Sequence, residues 1–396
     1  MQNFQFDTVF PRRDCGSIKW SFARNSEGVL PEGSVPMTVA DMEFKSPPAV
    51  REALKELAEF GMWGYTMPTE ACKEAVCGWF KRRHNWEVKP EWMVQTVNVV
   101  AALGGAVRAF TQPGDGVIIQ TPVYPPFYRS VLNNGRTLIE NPLIREGMDY
   151  RMDLADLAEK AKGAKLLILC SPHNPVGRVW TREELEGVEK ICRENGVLVV
   201  SDEIHCDLIH KGHTHIPYAS LSEEAQQNCI VCTSASKTFS FAGLGCANIV
   251  IPNPELREKF AAQKGIDGFG TESIFGMKAM EVAYRDCDDW FDAMVDYVWG
   301  NYCYLKDFLA QHFPKVGLGD LQGTYLAWAD MNSFGMDCQT LDKFLADEAD
   351  LFLGGGAQYG ESTCQGFMRF NLAVPRSALT EGLDRMLAAA KKHNLV

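Results

Sequence analysis

Lys165-Leu166-Leu167-Ile168-Leu169-Cys170 runs straight into Ser171-Pro172-His173-Asn174-Pro175-Val176-Gly177, and farther on Val197-Leu198-Val199-Val200-Ser201 runs into Asp202. Between them, Thr181–Asn195 reads as a helix. Thr181 stands at its N-cap with Glu184 three residues on, the spacing of a capping box. Both apolar runs are continuous rather than alternating, as expected of strands buried on both faces. Strand, turn, helix and second buried strand describe a unit of a mostly parallel sheet covered by helices on both sides.

The same alternation extends outward from this unit. Val94–Val99 reads as a strand and Ala101–Phe110 as a helix. Gly116–Gln120 reads as a strand and Pro125–Asn134 as a helix, with a further helix over Asp153–Ala161. Ile230–Thr233 and Cys246–Ile251 are further strands. Asp288–His312 reads as one long helix leading to a C-terminal unit, roughly 315–396. That unit holds a strand Thr324–Asp330, a Gly354-Gly355-Gly356 loop, a strand Phe367–Leu372 and a helix from about Arg376. The expected architecture is α/β, with a large domain over 48–287 and a smaller α+β domain formed by 1–47 and 288–396.

Composition narrows the function classes. The 396 residues carry a net charge of -12, which argues against a nucleic-acid or anionic-membrane partner. Lys81-Arg82-Arg83 is too short to change that and reads as a solvated helix face. The apolar runs are far shorter than a bilayer span. Met1-Gln2-Asn3-Phe4-Gln5-Phe6-Asp7 has neither the basic start nor the apolar stretch of a signal peptide. Thirteen cysteines scattered along the chain read as reduced thiols, hence a cytoplasmic protein. His205-Cys206 and His210, His213 and His215 lack metal-ligand spacing; they read as loop and surface histidines, and no metal is expected.

Three motifs at strand ends carry the chemistry. Ser234-Ala235-Ser236-Lys237-Thr238 follows the strand Ile230–Thr233. By itself it fits a surface lysine, or a serine nucleophile with a lysine base. Asp202 closes a buried strand, where a carboxylate needs a cationic partner or becomes neutral. A protonated pyridine nitrogen is one such partner; a helix N-cap or an arginine pair are others. Asn174 sits in an Asn-Pro-x-Gly turn that holds its amide at a strand end, although these residues favour turns in any case. Each motif is weak alone. The ordered set, three motifs at one sheet edge, is rare.

With these motifs in place the chain resembles the fold-type-I pyridoxal-phosphate enzymes of the aminotransferase class I/II superfamily. More narrowly it resembles the cystathionine β-lyase-type C–S lyases. The narrower resemblance rests on Phe6-Asp7, Ser17-Ile18-Lys19-Trp20, Val39-Ala40-Asp41-Met42-Glu43-Phe44 and Gly64-Tyr65-Thr66. It rests also on Ser201 to Asp207, Ser236 to Leu244, and Met368-Arg369-Phe370-Asn371-Leu372-Ala373. The resemblance implies a pyridoxal-phosphate-dependent transferase-like fold and pyridoxal 5′-phosphate as cofactor. It implies that Lys237 carries the cofactor covalently, Asp202 pairs with its ring nitrogen, Asn174 bonds its ring oxygen and Tyr124 stacks on the ring. Ser234 and the backbone N–H groups of Val99 and Val100 bind its phosphate. His205 lies against the cofactor. Arg369 clamps the substrate carboxylate, with Ala40 and Asn174 beside it. Tyr65 reaches the neighbouring subunit's phosphate, which implies a homodimer with shared sites.

The implied activity is β-elimination from cystathionine or a related L-cysteine conjugate, a small amino-acid substrate. Transamination is the alternative, and a non-catalytic regulator that binds the cofactor is a further one. A nicotinamide-dependent dehydrogenase, raised by Gly243-Leu244-Gly245, fails because no GxGxxG opens the first strand–helix unit. The chain departs from the subgroup pattern at Cys15 and Ser21, where Thr and Asp are usual. It also departs at Asp288-Asp289-Trp290-Phe291, where the subgroup has a Glu-Glu-Trp-Leu-like stretch, and over Phe269–Phe275. Thr238–Ile251 contains no arginine for the phosphate, in keeping with the lyase subgroup.

Overall fold

The structure is a computed structural model that describes residues 4–269, 272–361 and 363–396. The first three residues of the N-terminal stretch, and Gly270 and Thr271 of the unusual Phe269–Phe275 segment, lie outside the described residues. The described residues form thirteen strands: β1 Met93–Thr96, β2 Gly116–Thr121, β3 Thr137–Pro142, β4 Ile144–Glu146, β5 Asp149–Arg151, β6 Ala164–Cys170, β7 Leu198–Asp202, β8 Cys229–Thr233, β9 Ala247–Val250, β10 Gly317–Leu318, β11 Leu326–Asp330, β12 Gly354–Gly355 and β13 Phe367–Asn371.

Seven of them form one sheet in the order β1-β9-β8-β7-β6-β2-β3. The pairs from β3 across to β8 are parallel, and β9 is antiparallel to both of its neighbours. A second sheet, β10-β11-β13-β12, is antiparallel throughout. The architecture is therefore mixed α/β, with a mostly parallel sheet and a smaller antiparallel one.

Alternation along the strands divides the apolar core. On β6, Leu166 and Ile168 face the helix Val99–Phe110, packing with Leu103, Ala106 and Val107. Leu167 and Leu169 point to the opposite face, whose core includes Leu157, Leu185 and Val188 from the helices Leu154–Ala161 and Arg182–Glu194. Strand side chains alternate between faces, so a strand covered on both sides must be apolar at every position. The Arg182–Glu194 helix carries the expected capping box: Thr181 Oγ1 accepts from Glu184 N, and Glu184 accepts from Thr181 N.

Two boundaries differ from expectation. The first strand ends at Thr96, because Asn98 Oδ1 accepts from Ala101 N and starts the helix at Val99. Gly354 and Gly355 are not a free loop. They pair as an edge strand with Arg369 and Met368. The elements without a sequence assignment above lie mainly on the flanks, including the helices Pro48–Phe60, Glu70–His84, Pro254–Ile266 and Ile274–Asp286. The long helix Asp288–His312 forms as expected. Arg82 and Arg83 are less solvated than a simple surface face, since they form ion pairs with Asp288 and Asp292.

The covered sheet and the cap contribute unequally to stability. Leu167→Ala opens a cavity at a fully buried position of β6 and costs about 2–5 kcal/mol, whereas Thr181→Ala removes one cap at about 1 kcal/mol. Thermal melts should therefore rank wild type above Thr181→Ala, with Leu167→Ala well below both. Equal melting of the two variants would contradict this division of the core.

Candidate active site

In a mostly parallel sheet the ligand crevice lies beyond the carboxyl ends of the strands. Tyr124 follows β2, Asn174 follows β6, Asp202 ends β7, and Ser234 and Lys237 follow β8. β1 reaches the same edge, because it is antiparallel to β9 and β9 is antiparallel to β8. One cavity at this edge is lined by Ala40, Val99, Val100, Tyr124, Asn174, Asp202, His205, Ser234 and Lys237. Residues 197 positions apart in sequence meet there, at the contact between Ala40 and Lys237.

Two of the sequence-derived residues lie elsewhere. Arg369 on β13 sits behind Asn174, with Nη1 donating to Asn174 Oδ1 at 3.0 Å and Nη2 to Thr38 O at 2.7 Å. Its guanidinium lies over the Tyr359 ring, 5.0 Å from the centroid. Tyr65 is not in the cavity of its own chain; it is 99% exposed. Sequence reading missed Tyr325, whose Oη donates to Ala40 O at 3.0 Å. No local pattern marks it, since the contact spans 285 residues.

The turn that holds Asn174 depends on Gly177. Its φ of +74° favours glycine, and its carbonyl accepts from Gln322 N and Gly323 N. Asn174 N lies 3.4 Å from Cys170 Sγ. Asn174 is thus fixed between the end of β6 and Arg369.

Lys237 Nζ is buried and donates to Ala40 O at 2.5 Å. Burial pushes its pKa down to about 8; Arg369 and Lys19 act in the same direction, and Asp41 and Asp202 against it. Asp202 is pushed up to about 7 by burial, although a hydrogen bond from Ile204 N and the nearby Lys237 favour its anion. Neither the helix-cap nor the arginine-pair reading of Asp202 describes it. Among the described residues its side chain has one hydrogen bond, the local one from Ile204 N, and no ion pair. His205 is driven well below its usual range by burial, and among the described residues its Nδ1 has no hydrogen-bond partner.

These features test whether pyridoxal 5′-phosphate fits the residues present. A pyridinium supplies the cation that a buried, unpaired Asp202 lacks. Val99 and Val100 open their helix, so their N–H groups have no carbonyl one turn earlier and can receive a phosphate. Tyr124 offers an aromatic face and Lys237 a buried amine. The residues fit.

The comparisons with known proteins agree. The model of the family "Aminotransferase class I and II" matches residues 33–386. The chain belongs to this family. It is 41% identical to cystathionine beta-lyase PatB of Bacillus subtilis over 386 residues, 97% of this chain and 99% of that protein. It is 32% identical to protein MalY of Escherichia coli, over 98% of this chain and 99% of MalY. Cystalysin from Treponema denticola, whose crystal structure contains pyridoxal 5′-phosphate, superposes with a TM-score of 0.96 at 38% identity, covering 99% of this chain and 100% of cystalysin. The cofactor of this aminotransferase-family protein is pyridoxal 5′-phosphate, and the protein is of the cystathionine β-lyase type. No helix among the described residues is long and apolar enough to cross a membrane.

His210 and His215 depart from the surface reading. Both are buried; His210 Nε2 lies 2.8 Å from Thr324 O and His215 Nε2 lies 2.9 Å from Glu203 Oε2. Only His213 is substantially exposed of the three.

The state of Asp202 sets a pH dependence in the cofactor-free protein. Its folded pKa lies above the unfolded value, so the folded state holds the extra proton between about pH 4 and 7. Its unfavourable contribution therefore grows as pH rises through that window and is full above it. Asp202→Asn keeps an acceptor for Ile204 N without the charge. Cofactor-free Asp202→Asn should melt above wild type at pH 8, with the gap closing toward pH 5. A gap that widens on acidification would show that burial does not govern this carboxylate.

Proposed function

We propose that this protein is a C–S β-lyase that cleaves cystathionine or a related L-cysteine conjugate to a thiol, pyruvate and ammonium. The observation that carries the reading is a buried, weakly basic Lys237 in a cavity behind whose Asn174 wall the Arg369 guanidinium sits. The similarity to cystathionine beta-lyase PatB supports the choice of leaving group.

Arg369 receives the substrate carboxylate. Asn174 and Thr38 hold two of its nitrogens, and its buried Nε has no partner, so donors remain for a carboxylate. Ala40 O holds Lys237 Nζ near the place where the amino acid's Cα must lie. Lys237 as the free amine takes the Cα proton; its lowered pKa makes that form accessible near neutral pH. The bound cofactor supplies an electron sink for the pair left at Cα. With the cofactor bound, Asp202 would keep the ring nitrogen protonated, Asn174 would bond the ring oxygen, and Tyr124 would cover the ring. His205 would stay neutral beside them. Ser234, Val99 and Val100 would hold the phosphate. The Cβ–S bond then breaks, the sulfur leaves as thiolate and takes up a proton, and water hydrolyses the three-carbon remnant to pyruvate and ammonium.

Tyr65 completes the phosphate site of a second copy. It is supported by an exposed apolar surface around it: Phe60, Met62, Trp63 and Met67 are all more than half exposed. Mixing inactive Lys237→Ala with weakened Tyr65→Ala subunits should give hybrids in which one site keeps both residues. Activity above either parent is expected, and its absence under conditions of subunit exchange would remove Tyr65 from the site.

The test of the reaction is stoichiometric. Cofactor-loaded protein with L-cystathionine and no keto acid should release thiol and pyruvate in equal, catalytic amounts. Conversion of the cofactor to its amine form without thiol, reversed by a keto acid, would make the protein a transaminase.

A further inference from the structure

Four consecutive carbonyls between the two sheets each take a donor. Thr38 O accepts from Arg369 Nη2 at 2.7 Å, and Val39 O from Asn371 Nδ2 at 2.7 Å. Ala40 O accepts from Lys237 Nζ and Tyr325 Oη. Asp41 O accepts from Asn371 Nδ2 at 2.6 Å and Lys19 Nζ at 2.8 Å. The short Thr38–Asp41 strap thus touches both the amine and the arginine on which the proposed reaction depends.

Lys19 anchors this strap. It is fully buried, and its ammonium also reaches Asp41 Oδ1 at 2.8 Å and Glu43 Oε1 at 2.7 Å. The ammonium thus donates to one carbonyl and is paired by charge with two carboxylates. Arg12 pairs with the same two carboxylates at 3.2 and 3.3 Å, and Trp20 Nε1 donates to Glu43 Oε2 at 3.0 Å. Nothing in the proposed reaction uses this buried cation.

We propose that Lys19 is a positioning residue: through the Thr38–Asp41 strap it places the Ala40 carbonyl against Lys237, while its own charge opposes the ammonium that this carbonyl and Asp41 favour. This rests on Lys237 being the reactive amine.

The groups around Lys237 show how this opposition arises. Asp41 and Lys19 face it from the N-terminal segment, and Asp202 and His205 from the end of β7. Tyr124 faces it after β2, Tyr325 before β11 and Arg369 on β13; the Cys170 and Cys246 thiols line the same cavity. Burial is the largest influence on the amine. Asp41 favours the ammonium, while Lys19 opposes it. Removing the Lys19 charge leaves Asp41 and Glu43 balanced only by Arg12, at the surface end of the cluster, so the ammonium of Lys237 is favoured. Removing the Asp41 charge has the opposite effect.

The test uses cofactor-free protein and does not depend on turnover. Pyridoxal 5′-phosphate is added across a pH series, captured cofactor is fixed with borohydride, and the labelled lysine is located by peptide mapping. Only a neutral amine attacks the aldehyde, so the capture rate follows the free-base fraction of Lys237. Lys19→Met should move the midpoint up by roughly half a pH unit or more, and Asp41→Asn should move it down. Lys19→Arg should stay near wild type. A folded Lys19→Met with the wild-type midpoint, judged folded by near-ultraviolet circular dichroism, would overturn the proposal. So would a shift of both variants in one direction. Should Lys19→Met fail to fold, Asp41→Asn decides alone: an unchanged midpoint overturns the proposal. Label on a lysine other than Lys237 would instead overturn the assignment of the reactive amine.

Discussion

The site depends on burying an amine and a carboxylate in one cavity without letting them neutralise each other directly. Lys237 turns to the Ala40 carbonyl, and Asp202 accepts from the backbone of Ile204. Burial disfavours both charged forms, so the amine becomes a weaker base and the acid a weaker acid. A direct ion pair between them would remove the free amine that proton transfer needs. It would also occupy the carboxylate that a pyridinium needs. The sheet achieves this separation by placing the two groups at or just past the ends of adjacent parallel strands, β7 and β8, and giving the amine a different partner from the N-terminal segment.

That arrangement explains what was legible in the sequence. Asp202, Asn174 and Lys237 follow buried strands whose apolar runs are continuous, so their common edge follows from topology alone. The capping box at Thr181 and the long helix Asp288–His312 are local signals and were equally readable. The contacts that orient those residues were not. Ala40 meets Lys237 across 197 residues, and Tyr325 meets Ala40 across 285. Neither pair shares a spacing or a composition that a local reading can detect. Strand boundaries failed for a related reason: Asn98 ends β1 by capping the next helix, and β-propensity at Val97 to Val100 gives no sign of it. The buried state of His210 and His215 depends on packing partners in Thr324 and Glu203, which their polar neighbours in sequence conceal.

A second polar network holds Lys237 from the other side. Thr238, its immediate neighbour, donates to Asp207 Oδ2 at 2.6 Å. Asp207 Oδ1 accepts from Trp79 Nε1 at 2.8 Å and lies 2.7 Å from His84 Nε2. Burial would raise the Asp207 pKa, but the contacts with His84, Thr238 and Trp79 hold it below its usual value. The carboxylate is therefore a charged anchor for the turn that carries the lysine. Its partners come from the helix Glu70–His84, far from the site in sequence, so that flanking helix is tied to the chemistry through one buried anion.

His84, Cys206 and Asp207 also bring three potential metal-ligating atoms within 4.8 Å of one another. The geometry favours hydrogen bonding over coordination. Ligands about 2 Å from a tetrahedral zinc lie roughly 3.3 Å apart, so the 2.7 Å separation of His84 Nε2 and Asp207 Oδ1 is too short for a shared ion. The same oxygen also receives the indole N–H of Trp79. Asp207 is therefore satisfied without a metal, and its charge acts on the lysine turn through Thr238. Lys237 is held between two buried ionic clusters of different composition. On the strap side, cations and carboxylates compensate one another next to Lys237 itself. On the Thr238 side, one carboxylate is saturated by donors and fixes the backbone that follows it.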